Sequence, residues 1–252
     1  MPSTLKRARA PEQRWAWWQA LSFVAGLGAV AGAILSPLEH LGRSDLVSAH
    51  VAQHLILGDA AAPLLLLGLP PHPRLWLRRR LAALSVDRRP LARLVTWALS
   101  PVGALLLWTV ATYAWYTPGL HRLAVPGGAV HVADHVSFLV FGLLIWFAAF
   151  DPREPRPWRQ AIRDGGLPWW GRHAYAMGAR IVMLPPALVL WFAPGFHVAE
   201  QRPMGYSRAA DQANAAGIMI GFEMLLFTFA FVLAFIFMTI AEGRRQDAEQ
   251  GA

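Results

Sequence analysis

Cysteine is absent from all 252 residues, which excludes thiolate metal sites and disulfides whatever the compartment. Charge is scarce: 15% of the chain is Asp, Glu, Lys or Arg, against about a quarter in a soluble domain. There is no nucleophile motif, phosphate loop or dinucleotide fingerprint. Gly26-Leu-Gly28 lies inside a long apolar run and reads as a helix-packing pair rather than a nucleotide loop. What the chain has instead is apolar length. Hydrophobic residues make up 56% of it, and runs of about 20 apolar residues indicate membrane helices. Six such runs occur: Trp15–Leu35, Leu46–Leu69, Leu91–Trp115, Val125–Phe150, Ala174–Phe192 and Ala213–Ile240. They predict an all-α, polytopic membrane protein, one helical bundle over residues 1–252 with no separate soluble domain.

The formal net charge of +8 is a topology signal rather than a nucleic-acid footprint. Lys6, Arg7, Arg9 and Arg14 precede the first run. Arg74, Arg78, Arg79, Arg80, Arg88 and Arg89 fall in the second loop, and Arg153, Arg156, Arg159, Arg163 and Arg172 in the fourth. The first and third loops hold only Arg43 and Arg122, and the fifth holds Arg202 and Arg208. The positive-inside rule then places both termini in the cytoplasm and loops one, three and five outside; attraction to anionic lipid is secondary. Trp15, Trp17, Trp18, Trp169 and Trp170 fit an inner aromatic belt. The basic-then-apolar start has a long apolar run and no convincing A-x-A site, so it reads as a first span rather than a cleaved signal.

Histidine is patterned. His50 and His54, four apart, share one helical face, and two such imidazoles can grip one metal ion. The segment His50-Val-Ala-Gln53-His54 is echoed by His131-Val-Ala-Asp134-His135. Ten residues before each pair stands a Pro-x-x-His, ending in His40 and in His121. A third copy ends in His197, with Ser207 ten residues on and Asp211 four further. The chain therefore reads as three parallel-repeat helical hairpins. Topology places His40, His50, His54, His121, His131, His135, His197 and Asp211 toward the outer face; only His72 and His173 lie inside. About 20 residues, some 30 Å of helix, follow His50 and His131 within their spans.

A lone histidine at a helix end is usually an interfacial or hydrogen-bonded side chain. Two matched pairs on one side point instead to metal, and imidazole without thiolate suits copper, zinc or iron alike. Gln53 and Asp134 are candidates to orient imidazoles, with Glu39 a weaker one. Asp59, a turn below His54, must face the bundle or bond between helices. Met219 and Met224 are soft donors for cuprous ion or simply core filler. A haem needs axial imidazoles from facing helices, which His50 and His131 would allow. The competing readings are thus a metal-binding factor, a haem-bearing electron carrier, and a small copper or proton transporter.

The run Asp45-Leu-Val-Ser-Ala-His50-Val-Ala-Gln53-His54-Leu-Ile-Leu-Gly-Asp59-Ala-Ala-Ala-Pro63, followed by Gly68, resembles the CtaG-type cytochrome c oxidase assembly factors. His121, His131 and His135 with Phe138 resemble that family's second histidine-bearing helix, and Asp211-Gln212-Ala-Asn-Ala-Ala-Gly217-Ile-Met219 its late D-Q segment. The likeness covers about residues 20 to 240; Ile220-Gly221 stands where an aromatic is expected. The resemblance implies a non-enzymatic factor in the bacterial inner membrane, binding copper toward the periplasm and delivering it to the haem–copper oxidase. Its implied partners are oxidase subunits, a periplasmic copper donor and the lipid bilayer, and its implied metal residues are the outer histidines with Asp211. Gln212, beside Asp211, joins Gln53, Asp134 and Asp59 as a supporting residue.

Overall fold

A computed structural model describes residues 15–70, 89–150, 169–198 and 202–250, with a few isolated positions besides. Most of the basic second and fourth loops, the N-terminal arginines and His72 lie outside the described residues. Among those described there is no strand. The helices are α1 (Trp17–Leu35), α2 (Pro37–Ser44), α3 (Val47–Leu55), a π-helical turn (Ile56–Ala61), α4 (Ala62–Leu67), α5 (Pro90–Ala98) and α6 (Pro101–Trp115). They continue with α7 (Pro118–Ala124), α8 (Ala129–Phe150), α9 (Trp169–Ile181), α10 (Leu184–Phe192) and α11 (Arg208–Gln250).

Among the described residues, five segments are long and apolar enough to cross a membrane, and a sixth if the bent pair α5–α6 counts as one span. That pair corrects the continuous third run expected from sequence: its halves meet at 78°. Pro101 is the cause, because proline cannot donate an N–H and its ring clashes with the carbonyl four residues back. Ser100 restarts the helix, its hydroxyl accepting from the Gly103 N–H at 3.1 Å. The fourth run likewise starts late, at Ala129, because Gly127 and Gly128 take positive φ angles of 99° and 80°.

Val47–Leu67 is the axis of the bundle. Of its apolar window 56% is buried, against 17–39% for the other four spans. Alanine and glycine permit this enclosure. A Cβ on Gly142 would stand 2.6 Å from the Gly58 carbonyl oxygen, and one on Gly58 would stand 2.6 Å from the Trp108 ring. The π-helical turn lies at this close approach. It precedes Pro63, whose ring would otherwise meet the Asp59 carbonyl four residues back, and a wider turn relieves that clash. Along the opposite flank, α1 is fastened to α4 by Ser22 Oγ donating to the Leu64 carbonyl at 2.8 Å and Trp15 Nε1 to the Gly68 carbonyl at 3.1 Å.

Candidate metal centre

The two leading Pro-x-x-His copies form short helices for a shared local reason. Ser36 and Thr117 accept backbone N–H bonds as N-caps, and Pro37 and Pro118 occupy the first turn. The third copy, Ala193-Pro194-Gly195, has no capping hydroxyl and turns at Gly195 with φ 89°; it forms no helix. The outcomes differ for the histidines. His121 is 1% exposed, whereas His40 lies exposed on α2.

Five imidazoles converge. The His50 ring centroid lies 4.5 Å from that of His54, 5.0 Å from His121, 5.1 Å from His135 and 5.5 Å from His131. His131 and His135 are 4.2 Å apart. All five are buried. His54 is further fixed by stacking on Phe138 at 3.9 Å, with Tyr116 edge-on.

Hydrogen bonds assign the ring nitrogens. Asp134 Oδ2 lies 2.9 Å from Nε2 of both His50 and His54. An ionised carboxylate only accepts, so both Nε2 atoms donate; the neutral His50 ring is left with an open Nδ1 lone pair, whereas His54 Nδ1 accepts from the Tyr116 hydroxyl at 3.4 Å. His131 Nε2 donates to Glu39 Oε1 at 2.8 Å, and His135 Nδ1 donates to the His131 carbonyl at 3.0 Å. The nitrogens left over are the informative ones. His50 Nδ1, His131 Nδ1, His135 Nε2 and His121 Nε2 are all buried with no partner. Buried lone pairs without a donor are costly, and four in one cluster fit a cation. One ligand atom from each of His50, His54 and His135 lies within 4.8 Å of the other two, and the same holds for Glu39, His131 and His135.

The carboxylates occupy the outer nitrogens, the arrangement that orients imidazole ligands and raises their basicity. Asp134 serves His50 and His54, across the helix interface rather than along its own helix. Glu39 serves His131 and is itself held by Gln53 Nε2 at 2.7 Å. Gln53 therefore acts one step further out than expected, and Glu39, the weaker candidate, contacts the cluster directly. Burial pushes the Glu39 carboxyl up, but the Gln53 hydrogen bond and the nearby His131 outweigh it and hold the group below its ordinary value. Burial drives His121 well below the usual histidine range, which keeps its imidazole neutral and able to ligate.

The remaining expected residues stand elsewhere. Asp211 is fully engaged: Oδ2 accepts from the Val47 N–H at 2.7 Å and His197 Nε2 at 2.8 Å, and Oδ1 from the Ser48 N–H and hydroxyl at 3.2 and 2.6 Å. Leu46 offers α3 no side-chain cap, so Asp211 caps that helix from α11. Gln212 holds the other neighbour, donating to the Leu190 and Ala193 carbonyls at the end of α10. The adjacent pair Asp211-Gln212 clamps two helices, and neither residue points into the histidine cluster. His197 completes the Asp211 cap. His40 instead lines a cavity of about 450 Å³ with Glu39, Arg43, Ser44, Ile34 and Pro126. Asp59 bonds Arg180 and no histidine. Met219 is buried in the apolar core and Met224 is exposed.

A family model described as cytochrome c oxidase caa3 assembly factor matches residues 3–240. The chain belongs to the caa3 cytochrome c oxidase assembly factor family. No curated protein and no solved structure matches it. The resemblance read from the two histidine segments and the D-Q segment therefore holds over nearly the whole of this assembly factor. Sequence reasoning passed over three of its buried polar residues, Tyr116, Arg180 and Glu223. Arg180 and Glu223 could have been found as lone charges inside apolar runs, since an intramembrane charge needs a partner.

Proposed function

We propose that this assembly factor binds copper in the His50–His54–His135 cluster, with His131, His121 and Glu39 adjoining, and passes it to the haem–copper oxidase during assembly. The ion is cargo, and the protein acts without a catalytic step of its own. The observation that carries this reading is the convergence of four unpartnered, buried imidazole nitrogens, two of them on rings, His50 and His131, that are braced from behind by Asp134 and Glu39. An all-nitrogen set with a carboxylate nearby suits copper as it does zinc or iron; copper is chosen as the metal that assembly of a haem–copper oxidase requires. Glu39 faces both the cavity beside α2 and His131, so it is the first donor an incoming ion would meet. The arginine distribution supports an orientation with this end of the bundle toward the periplasm of a bacterial inner membrane, where a periplasmic donor and the oxidase subunits would be its partners.

A haem is less well served. Its axial imidazoles must flank the macrocycle with clear space in its plane, whereas His50 is crowded by four other rings within 5.5 Å. The test is metal analysis of the detergent-purified protein after copper loading. Stoichiometric copper, lost in the His50→Ala variant without loss of folded protein, is expected. Copper retained by that variant, or a stoichiometric Soret band in the wild type, would overturn the reading.

A further inference from the structure

Deeper in the bundle, three charged side chains meet that the metal site does not use. Arg180 on α9 bonds Asp59 of the π-helical turn through Nη1, and the same nitrogen lies 3.2 Å from Glu223 Oε2 on α11. All three are enclosed: Asp59 is 1% exposed, Glu223 3% and Arg180 4%. The Trp146 ring lies under the guanidinium at 5.1 Å, and its indole donates to the Gly58 carbonyl beside Asp59. Helix α1, also packed on the turn, has no charged residue. Among the described residues, Tyr175 on α9 and Tyr116 at the end of α6 also lie within electrostatic range of the three.

The position is deep rather than interfacial. Val47 and Asp59 are twelve residues apart, about 18 Å of helix, and the same spacing separates Asp211 from Glu223. Asp211 bonds Val47 across an offset of 164 residues, and Glu223 stands at that offset from Asp59. α3 with its π turn and α11 therefore run side by side in one register, joined at the outer end by the cap and at mid-depth by Arg180.

The charges do not balance. Two carboxylates face one guanidinium, leaving one negative charge uncompensated in a site walled by apolar helices, where such a charge is expensive. Asp59 Oδ2 and Glu223 Oε1 have no hydrogen-bond partner, nor does Arg180 Nε. A metal or alkali cation would have to settle beside the guanidinium already there, which repels it. A proton needs no such space.

We propose that the Asp59–Arg180–Glu223 triad is an intramembrane proton-binding site, holding one exchangeable proton on its carboxyl pair at neutral pH. Arg180 keeps one carboxylate ionised, and the other carries the proton. The site is separate from the histidine cluster and does not depend on what that cluster binds.

Infrared difference spectroscopy of the full-length protein in lipid nanodiscs tests this without any substitution. The expected result is a protonated-carboxyl C=O band at pH 7 that shifts in D2O. Glu223→Gln and Asp59→Asn should each abolish it, because the guanidinium then pairs with the one remaining carboxylate. Arg180→Gln should roughly double its intensity, because neither carboxylate then has a counter-charge; if both carboxylates were ionised in the wild type, the band would appear only in this variant, and the proposal would be overturned. Absence of the band in wild type, with carboxylate stretches sensitive to sodium or potassium, would overturn the proposal in favour of a bound cation. A wild-type band that survives both Asp59→Asn and Glu223→Gln would assign the proton to another acid and overturn it equally.

Discussion

One oxygen of Asp134 stands 2.9 Å from Nε2 of His50 and 2.9 Å from Nε2 of His54, so a single carboxylate on α8 fixes both imidazoles of the α3 pair. Asp134→Asn preserves the shape but replaces that acceptor with an amide, which can no longer serve as a shared anionic acceptor for both rings. Copper affinity is expected to fall about 10- to 100-fold, the usual cost of losing an orienting partner, while the thermal midpoint moves little in comparison. Competition titration against a copper chelator, run beside a thermal melt, measures the two effects separately.

His54 and His135 lie 5.3 Å apart, ring to ring. Ligands of one ion fail as a unit, so His54→Ala combined with His135→Ala should bind copper little worse than either alone. Losses in log affinity that add would show that the two rings act independently.

Asp211 takes four hydrogen bonds and contributes none of them to the metal cluster. Asp211→Ala should cost stability, at least the ~1–2 kcal/mol of a lost N-cap and more for the buried donors it strands. Folded protein that survives should still take up copper at wild-type stoichiometry. Calorimetric or fluorescence melts and metal analysis on one preparation give both numbers.

Burial holds His121 neutral in the folded protein well below pH 6.5. Its folded value is depressed, so the unfolded chain binds the extra proton first as pH falls. The stability this group contributes is present above pH 6.5 and declines as pH drops below it, with a slope of up to about 1.4 kcal/mol per pH unit. His121→Asn should flatten the fall in thermal midpoint between pH 7 and pH 5; an unchanged slope would remove His121 from the account.

Gly142 packs its backbone on Gly58, with 2.6 Å available where a Cβ would go. Gly142→Ala should therefore destabilise by about 1–3 kcal/mol, the usual cost of overpacking, and Gly217→Ala, where nothing lies within 4 Å, should not. Denaturation of both variants in one detergent provides the comparison.

Much of this arrangement was legible in the chain. The apolar runs locate the spans, and the i,i+4 histidines with their echo locate the cluster, because a helix puts those side chains on one face. The break at Pro101 was legible as well, and was read through because the run on either side is apolar. Asp211 misled for a definable reason: its spacing from His197 copies that of the histidine pairs, yet spacing along one helix cannot show that Val47 and Ser48 of another present uncapped N–H groups to it. Glu39 was undervalued for the same reason. Its partners Gln53 and His131 are 14 and 92 residues away, and only the packed bundle brings them together. The Arg180 triad joins three segments and was visible only as isolated charges.

The cap on α3 comes from residue 211, so the first turn of the central helix is unfinished until the last span is made. A ribosome emits His50, His54, His131 and His135 long before Asp211, and chains halted before α11 carry every histidine of the cluster on a scaffold whose axis lacks its cap. On the proposed function, full support of the metal cluster is thereby tied to synthesis of the chain through Asp211.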